Sequence, residues 1–311
     1  MQGLCLHSFV MNQQVLSIPA SRSARYRRKG VQGVEALAML LPTLLLYAAL
    51  LVLPLFIVAP LAFDRPQLGQ LVVRWDGSLI NFERLLSSPL YATALANSIG
   101  LSIAATLLTL LVGFPLAWQL ARVQSARRIN VLILLVLAAA QVDVVLRLFG
   151  MVALLGDEGT VNRLLRASGV LEGGLPLMYN RLGVVLGLVQ LCTPFMVLSL
   201  LGALRRLDPA IIECARSLGA GTATVLWRIV LPWVRGHLLG ASLLVFGVSM
   251  SAYVVPAMLA GGRVPMLANL LYEQIMGVGN WQFGAALALL LFVTACLVVG
   301  ANQYLTREAR A

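Results

Sequence analysis

Charge, histidine and paired cysteine are all scarce in this sequence. Charged residues make up 11% of the 311 residues and hydrophobic residues 60%, which excludes an ordinary water-soluble domain and indicates a lipid bilayer as the main solvent. The two histidines and four separated cysteines include no CxxC pair, so neither a metal site nor a disulfide framework is expected. Lys29 is the only lysine, and no GxxxxGK run followed by Ser or Thr occurs, so we expect this chain to hold no nucleotide cofactor.

The motifs of other membrane proteins are missing as well. An HExxH pair and a GxSxG elbow are both absent, which disfavours a membrane-embedded hydrolase or transferase. The sequence also lacks the repeated broken-helix halves and the central ionisable relay typical of secondary transporters. An ion-gradient-driven secondary transporter nevertheless stays the alternative function, because a bundle of apolar helices alone does not settle function.

Positive charge is the one abundant polar feature, with a formal net charge of +11. The basic residues lie in short segments beside apolar runs, which is typical of membrane topology and does not indicate nucleic-acid binding. If the basic amino-terminal tail is cytoplasmic, 15 Lys and Arg residues lie on that side and seven on the other. This asymmetry predicts that both termini are cytoplasmic.

Six apolar segments are long enough to cross a bilayer, which takes about 20 helical residues. They cover residues 36–62, 93–120, 129–155, 182–204, 238–259 and 283–304. We therefore predict an all-α integral membrane protein with one six-span domain at 36–306 and a carboxy-terminal cytoplasmic tail at 307–311. The basic segment 1–35 has no apolar stretch before a small-residue cleavage site, so we expect a disordered cytoplasmic tail and no cleaved signal peptide.

The long cytoplasmic segment between the fourth and fifth spans, residues 205–236, begins with a predicted helix. Asp208 is a favourable N-cap, and Pro209 is a favourable first helical residue. The next apolar side chains are expected to share one face of this helix; they are Ile211, Ile212, Ala215 and Leu218.

The second half of this segment predicts a turn and another helix. Gly219 and Gly221 are expected to end the first helix, because glycine adopts the left-handed backbone that helix ends favour. A second short helix is expected over 222–230, and Pro232 is expected to break the chain before the fifth span.

A spaced set of residues in this segment matches a known motif. Glu213, Cys214 and Ala215 are followed by Gly219 and then by Ile229, Leu231 and Pro232. The set resembles the EAA loop of ABC importer permeases, with Cys214 in place of the usual alanine. The resemblance implies ATPase-coupling residues at Glu213, Ala215, Gly219, Ile229, Leu231 and Pro232. The alternative is an amphipathic helix that packs only on its own bundle.

A wider resemblance runs from about residue 37 to the carboxy terminus and points to permeases of the spermidine/putrescine type. It is carried by Asn81, Phe82, Arg84, Leu85, Asn97, Ser98, Gly156, Gly159, Asn162 and the runs 113–118, 253–259, 266–270 and 280–286. It implies the type I ABC importer permease fold in a bacterial inner membrane. It also implies three kinds of partner: an ATPase dimer that binds ATP and Mg²⁺, a second, non-identical permease, and a periplasmic substrate-binding protein. The implied cargo is a polyamine such as spermidine or putrescine, or a related amino compound.

One departure from this family pattern falls in the third span. The family tends to have Asn or Ser where this chain has Asp143, whereas Arg147 matches. Spaced i,i+4, the two side chains are expected to face the same way and to pair, so that Arg147 neutralises the acid. The sharper hypothesis is that Asp143, with Gln141, lines the substrate path and favours a cation. Gln190 and Tyr253 are weaker pathway candidates, since polar residues within spans often only bond a neighbouring helix.

Overall fold

The computed structural model describes residues 33–67, 69, 73–168 and 175–308, and all regular secondary structure in this part of the chain is helical. The helices are α1 Gly33–Ala62, α2 Ile80–Ser87, α3 Pro89–Ala121, α4 Ala126–Gln141, α5 Val144–Leu155, α6 Thr160–Ala167, α7 Arg181–Leu204, α8 Pro209–Ser217, α9 Thr222–Ser251, α10 Val254–Leu259, α11 Leu267–Tyr272 and α12 Trp281–Glu308. A π-helical turn at Glu273–Gly277 follows α11 directly. The all-α prediction is confirmed. Most of the predicted amino-terminal tail and residues 309–311 lie outside the described residues.

Five of these helices are long and apolar enough to cross a membrane, namely α1, α3, α7, α9 and α12. The third predicted span is not one straight helix. It is broken between Gln141 and Val144, and the two parts are bent by 89°, so the count reaches six only when the bent pair is one span. The fifth predicted span, 238–259, is also wrong in its bounds, because α9 ends at Ser251 and α10 is a separate helix.

The contacts between Cα atoms divide the chain into two units, and the division falls inside α1 after Leu55. In the first unit, side chains 40–54 are all exposed and almost all apolar, as expected for a helix whose solvent is lipid. The second unit begins at Phe56 and contains every other described helix.

Helices α3, α7 and α9 form the centre of the second unit. Their contact is close because α3 has a glycine where α7 has a bulky side chain: a Cβ on Gly113 would lie 2.8 Å from Met196 Cγ. Met196 and Val245 are fully buried in the cluster where the three helices meet. Small residues at such contacts let membrane helices approach and gain van der Waals packing.

The two short helices that follow the chain breaks pack on α7 at one level. Gly187 makes this possible, because a Cβ there would lie 2.5 Å from Leu259 and 2.7 Å from Val255, both on α10. Leu148 of α5 joins the same cluster and is almost fully buried. The interruptions after α4 and after α9 therefore lie next to one another in the fold.

Candidate functional site

Helix α8 begins as the sequence predicts. The carboxylate of Asp208 accepts a hydrogen bond from the Ala210 N–H at 2.9 Å, and Pro209 is the first helical residue. The N-cap satisfies a backbone donor that has no partner inside the helix, and proline supplies a favourable backbone angle without needing a bond there. The start of the helix is therefore fixed by local chemistry.

The end of α8 depends on one glycine. Gly219 has φ +85°, its N–H donates to the Arg216 carbonyl at 2.9 Å, and the Ala220 N–H donates to the Ala215 carbonyl at 3.0 Å. This pair of bonds is a Schellman cap, which closes the last turn of a helix. A Cβ on Gly219 would meet nothing within 4 Å, so the backbone angle, and not space, requires glycine.

The prediction for Gly221 is wrong in detail. Gly221 has φ −68° and ψ 163°, which is extended backbone, and it is the N-cap of α9. It begins the second helix and does not end the first, because the Schellman cap is already complete at Ala220.

The apolar side chains of α8 are divided between two directions, which corrects the prediction of a single face. Ile212 and Ala215 pack against the core cluster of α3, α7 and α9. Ile211 is 44% exposed and Leu218 is 84% exposed. No residue of α8 is fully buried. Two large apolar side chains, one in α8 and one at its C-cap, are therefore left exposed.

The start of α9 corrects the prediction that Pro232 breaks the chain. The helix continues through Pro232, and a π-helical turn at Leu226–Val230 precedes it. The wider turn gives the proline ring room, since in a regular helix the ring clashes with the carbonyl four residues earlier. Of the predicted coupling residues here, Ile229 and Leu231 are half-buried and Pro232 is exposed.

Sequence reasoning missed the two side chains that fix the start of α9 to the bundle. Val225 is 1% exposed and Val230 is fully buried in the core cluster. Their spacing of five residues matches a π-helical turn and not the spacing of an α-helical face, so helical periodicity does not reveal them.

A polar cavity of about 360 Å³ lies between α8 and the ends of α3 and α7. Glu213 and Arg216 line it from α8, and Arg122 and Arg205 line it from the other side. The Arg122 guanidinium lies 4.1 Å from the centre of the Trp118 ring. The pKa of Arg122 is lowered from its ordinary value, first by burial and then by the positive charge of Arg216. Glu213 is the only acidic residue among the cavity's lining residues, so the cavity is positively charged.

The structure contradicts the predicted pairing of Asp143 with Arg147. Asp143 is the N-cap of α5, and its Oδ1 accepts hydrogen bonds from the N–H groups of Val145 at 2.8 Å and Leu146 at 3.3 Å. The only ion pair among the described residues joins Arg166 to Glu158. An i,i+4 pair needs both residues inside one helix, whereas a cap residue turns its side chain toward the first turn.

This result also explains the departure from the family pattern. Asn, Ser and Asp are all good N-caps, because each offers a side-chain oxygen to the first free N–H groups. Asp143 therefore caps α5 as an Asn or Ser at this position could, and the chain break before α5 favours such a residue.

Arg147 and Gln190, two of the predicted pathway residues, come together in a cavity of about 340 Å³. Thr193 and Pro194 of α7 line the same cavity. The Nε of Arg147 is buried and has no hydrogen-bond partner, and no other charged residue lines this cavity. The cavity therefore carries one unpaired positive charge inside the membrane-spanning bundle.

Tyr253 lies in the interruption between α9 and α10, beside another cavity within the bundle, of about 270 Å³. Ser251 and Val144 line this cavity too, so both chain breaks border it. The Tyr253 ring stacks on Tyr272 with the ring centres 4.7 Å apart. Gln141 and Asp143 are exposed and line neither of these two cavities.

Several residues that carry the wider resemblance prove to hold loops in place. The Asn162 side chain, 1% exposed, donates to the carbonyls of Gly156 at 3.1 Å and Leu175 at 3.0 Å and accepts from the Leu175 N–H at 2.8 Å. The Ser98 hydroxyl accepts from the Leu267 N–H at 2.8 Å. The sequence signal was an amide near a helix start and a hydroxyl within a long apolar helix, and both were noted only as part of a resemblance.

Comparison with known proteins gives consistent matches. The family model for "Binding-protein-dependent transport system inner membrane component" matches residues 173–310. The spermidine/putrescine transport system permease protein PotB of Haemophilus influenzae is 32% identical over 227 residues, which are 72% of this chain and 79% of that protein. The molybdenum transport system permease protein ModB of Mycobacterium tuberculosis is 32% identical over 248 residues, 78% and 89% of the two chains.

The fold also matches a solved structure. A chain in the crystal structure of a bacterial alginate ABC transporter, in complex with an alginate pentasaccharide-bound periplasmic protein, superposes with a TM-score of 0.71 at 19% identity. The match covers 90% of this chain and 96% of that chain.

Proposed function

This chain belongs to the family of inner-membrane permeases of binding-protein-dependent ABC importers, and we propose which partners it engages and what it carries. Membership makes it a multi-pass protein of the bacterial inner membrane and a transport subunit, not an ATPase. The proposal rests on the form of α8. This capped helix lies outside the spans, leaves Ile211 and Leu218 exposed, and carries the motif residue Glu213, with Gly219 at its end.

The first proposed partner is a dimer of ATP-binding cassette subunits, each holding its own ATP and Mg²⁺. In this proposal α8 lies in a groove of the ATPase, with the exposed apolar pair against the groove wall. Glu213 and Gly219 position the helix, Ala215 anchors it to the bundle, and Ile229, Leu231 and Pro232 carry its movement into α9. Since Val225 and Val230 are buried in the core, a shift of α8 is transmitted to the packing of α3, α7 and α9.

The proposed topology has six spans with both termini in the cytoplasm. It counts α4 and the helices after it as one bent span, and it assigns residues 205–236 to the cytoplasmic side. The excess of Lys and Arg on that side supports it. The proposed domain bounds are a cytoplasmic tail at 1–35, the permease domain at 36–306 and a short tail at 307–311.

Two further partners complete the proposed assembly. A second, non-identical permease faces this one across the translocation path, and a periplasmic binding protein delivers the solute. Transport follows from two states of the permease pair, inward- and outward-facing, that bind the ATPase dimer with different affinity. ATP-driven closure of the dimer then shifts the population by pulling on α8.

The proposed cargo is a polyamine such as spermidine or putrescine, or a related amino compound, and the relative from Haemophilus influenzae supports this. Amines are proposed to pass the chain breaks near Gln141, Asp143 and Tyr253. The Oδ2 of Asp143 makes no hydrogen bond, and a tyrosine face attracts ammonium groups. Arg147 and Gln190 line the neighbouring cavity. There the positive charge of Arg147 repels amines, which therefore pass by the chain breaks and not through this cavity.

The test is ATP-driven uptake of labelled spermidine by proteoliposomes that contain the two permeases and the ATPase, with the binding protein outside. Uptake is expected to require ATP and to continue when ionophores remove all ion gradients. Replacement of residues 209–219 by an unrelated helix of the same length is expected to stop uptake without loss of membrane insertion. Uptake that stops with the ionophores and ignores ATP would establish the secondary-transporter alternative.

A further inference from the structure

A buried carboxylate in the loop after α1 holds an exposed tryptophan between two hydrogen bonds. Asp64 is 1% exposed. Its Oδ2 accepts from the Arg74 N–H at 2.8 Å, and its Oδ1 accepts from the Asp76 N–H at 2.9 Å. Trp75 is the residue between these two donors and is 74% exposed. A single side chain therefore fixes the backbone on both sides of the indole.

The backbone at Trp75 is in an unfavourable conformation. Its φ is +58°, in the left-handed region that bulky residues avoid because Cβ approaches the neighbouring carbonyl. Such conformations persist only where the surroundings enforce them, and they concentrate at functional sites. Here the two bonds to Asp64 provide the enforcement.

The base of this loop is itself firmly held. The Asn81 amide donates to the carbonyls of Ala62 at 2.9 Å and Asp64 at 2.8 Å, and the Ser78 N–H donates to the Phe63 carbonyl at 2.6 Å. Phe63 packs on Phe82 of α2 with ring centres 4.9 Å apart. The loop therefore presents Trp75 from a rigid base that joins the end of α1 to α2.

We propose that Trp75, clamped by Asp64, is a docking residue for the soluble substrate-binding protein. This rests on the proposed function, which puts the loop on the periplasmic side and makes transport depend on such a protein. A backbone that is already fixed on both sides of the indole loses little entropy on binding, and tryptophan is among the residue types enriched where binding energy concentrates.

The surroundings of Trp75 favour a protein over lipid as the occupant. Its neighbours Arg74 and Asp76 are both exposed and carry opposite charges, which suits a polar rim around one apolar anchor. A tryptophan that only anchors a span at the bilayer surface needs neither a buried carboxylate nor a strained backbone. The family's dependence on a binding protein supplies the partner.

The test measures the affinity of the binding protein for the complete transporter in nanodiscs. Trp75→Ala is expected to weaken binding by about tenfold or more, while the ATPase rate at saturating binding protein stays at the wild-type value. Trp75→Phe is expected to recover most of the affinity. Asp64→Asn keeps the indole but replaces one acceptor oxygen by a donor, and it is expected to weaken binding by a smaller factor. Trp233→Ala, which removes an exposed indole at the start of α9, is the matched control and is expected to leave the affinity unchanged.

Three results would overturn the docking role. Unchanged affinity in Trp75→Ala is the first. The second is quenching of Trp75 fluorescence by brominated lipids, because such quenching would place the indole in the bilayer. The Trp75 signal is measured as the difference between wild type and Trp75→Phe. The third is a loss of the second permease from purified Trp75→Ala complexes. Failure of the proposed function is distinguished by uptake: a wild-type complex that binds the protein but never transports contradicts the function and leaves the docking role standing.

Discussion

The motif residues at the two ends of the α3–α7–α9 core differ in burial. Near the starts of α3 and α7, Ser98 and Asn162 are buried and bonded to the backbone of other loops. Beyond the ends of α3 and α7, helix α8 has no fully buried residue, and Glu213 and Leu218 are exposed. A buried polar group is stable only if it is hydrogen-bonded, and these two side chains find their partners within the chain. For the second end we propose that a partner covers the exposed residues.

The largest effect is expected where the exposed end depends on one backbone angle. Gly219→Val is expected to abolish ATP-driven uptake, because valine strongly disfavours φ +85° and the strain of about 1–2 kcal/mol or more is relieved by moving the end of α8. The side chain itself meets nothing within 4 Å, so insertion and thermal stability are expected to stay normal. Uptake by proteoliposomes and the melting temperature together check this.

Gly221→Val is the matched control for that substitution. Gly221 is two residues away and equally open, but its extended backbone suits valine. Uptake is expected to remain near the wild-type rate. An equal loss of uptake in both variants would show that the size of the side chain, and not the backbone angle at Gly219, causes the loss.

At the buried end the expected loss is of stability. Asn162→Ala removes three hydrogen bonds and leaves the Leu175 N–H without a partner, while the carbonyls of Gly156 and Leu175 keep backbone donors. The expected cost is about 2–3 kcal/mol, seen as a lower melting temperature of the detergent-solubilised protein. Ser168→Ala removes only an exposed hydroxyl bond and is expected to change stability by less than about 0.5 kcal/mol. A normal melting temperature in Asn162→Ala would mean that this end is not held as described.

The smallest expected effect lies at the chain break between the two ends. Asp143→Ala is expected to cost about 1 kcal/mol because α5 loses its N-cap, whereas Asp143→Asn keeps an acceptor and is expected to cost almost nothing. In transport the Asn variant is informative, since it removes only the charge. If amines pass Asp143 as proposed, loss of its charge is expected to raise the KM for spermidine in Asp143→Asn. An unchanged KM would limit Asp143 to its capping role.

Sequence reasoning reached the family through a resemblance and the all-α fold through hydropathy. It also reached the start and the end of α8, because both depend on local chemistry. The N-cap at Asp208 and the left-handed turn at Gly219 involve only neighbouring residues, and both predictions are confirmed. The ABC importer permease assignment is confirmed by the relatives. The coupling and pathway roles of the individual residues stay predictions.

The errors occurred where packing decides and local pattern does not. The break before Asp143 carries no proline or glycine, and apolar residues flank it on both sides, so hydropathy predicted one continuous span. Pro232 was expected to break α9, but a π-helical turn accommodates it. The split of the α8 apolar residues between bundle and solvent depends on where α7 ends, which periodicity alone does not specify.

The accessibility of Cys214 tests the central claim most directly. Cys214 is exposed on α8, Cys192 is buried, and Cys5 and Cys296 can be replaced by serine, so labelling by a membrane-impermeant maleimide reports on α8. In inside-out vesicles Cys214 is expected to react rapidly when the permeases are alone and far more slowly when the ATPase dimer is bound. A Leu79→Cys reporter, in the exposed loop before α2 of a chain with Cys214 also replaced, is labelled in right-side-out vesicles and is expected to react at the same rate with and without the ATPase. Labelling of Cys214 only from the periplasmic side, or at a rate that the ATPase leaves unchanged, would contradict the account.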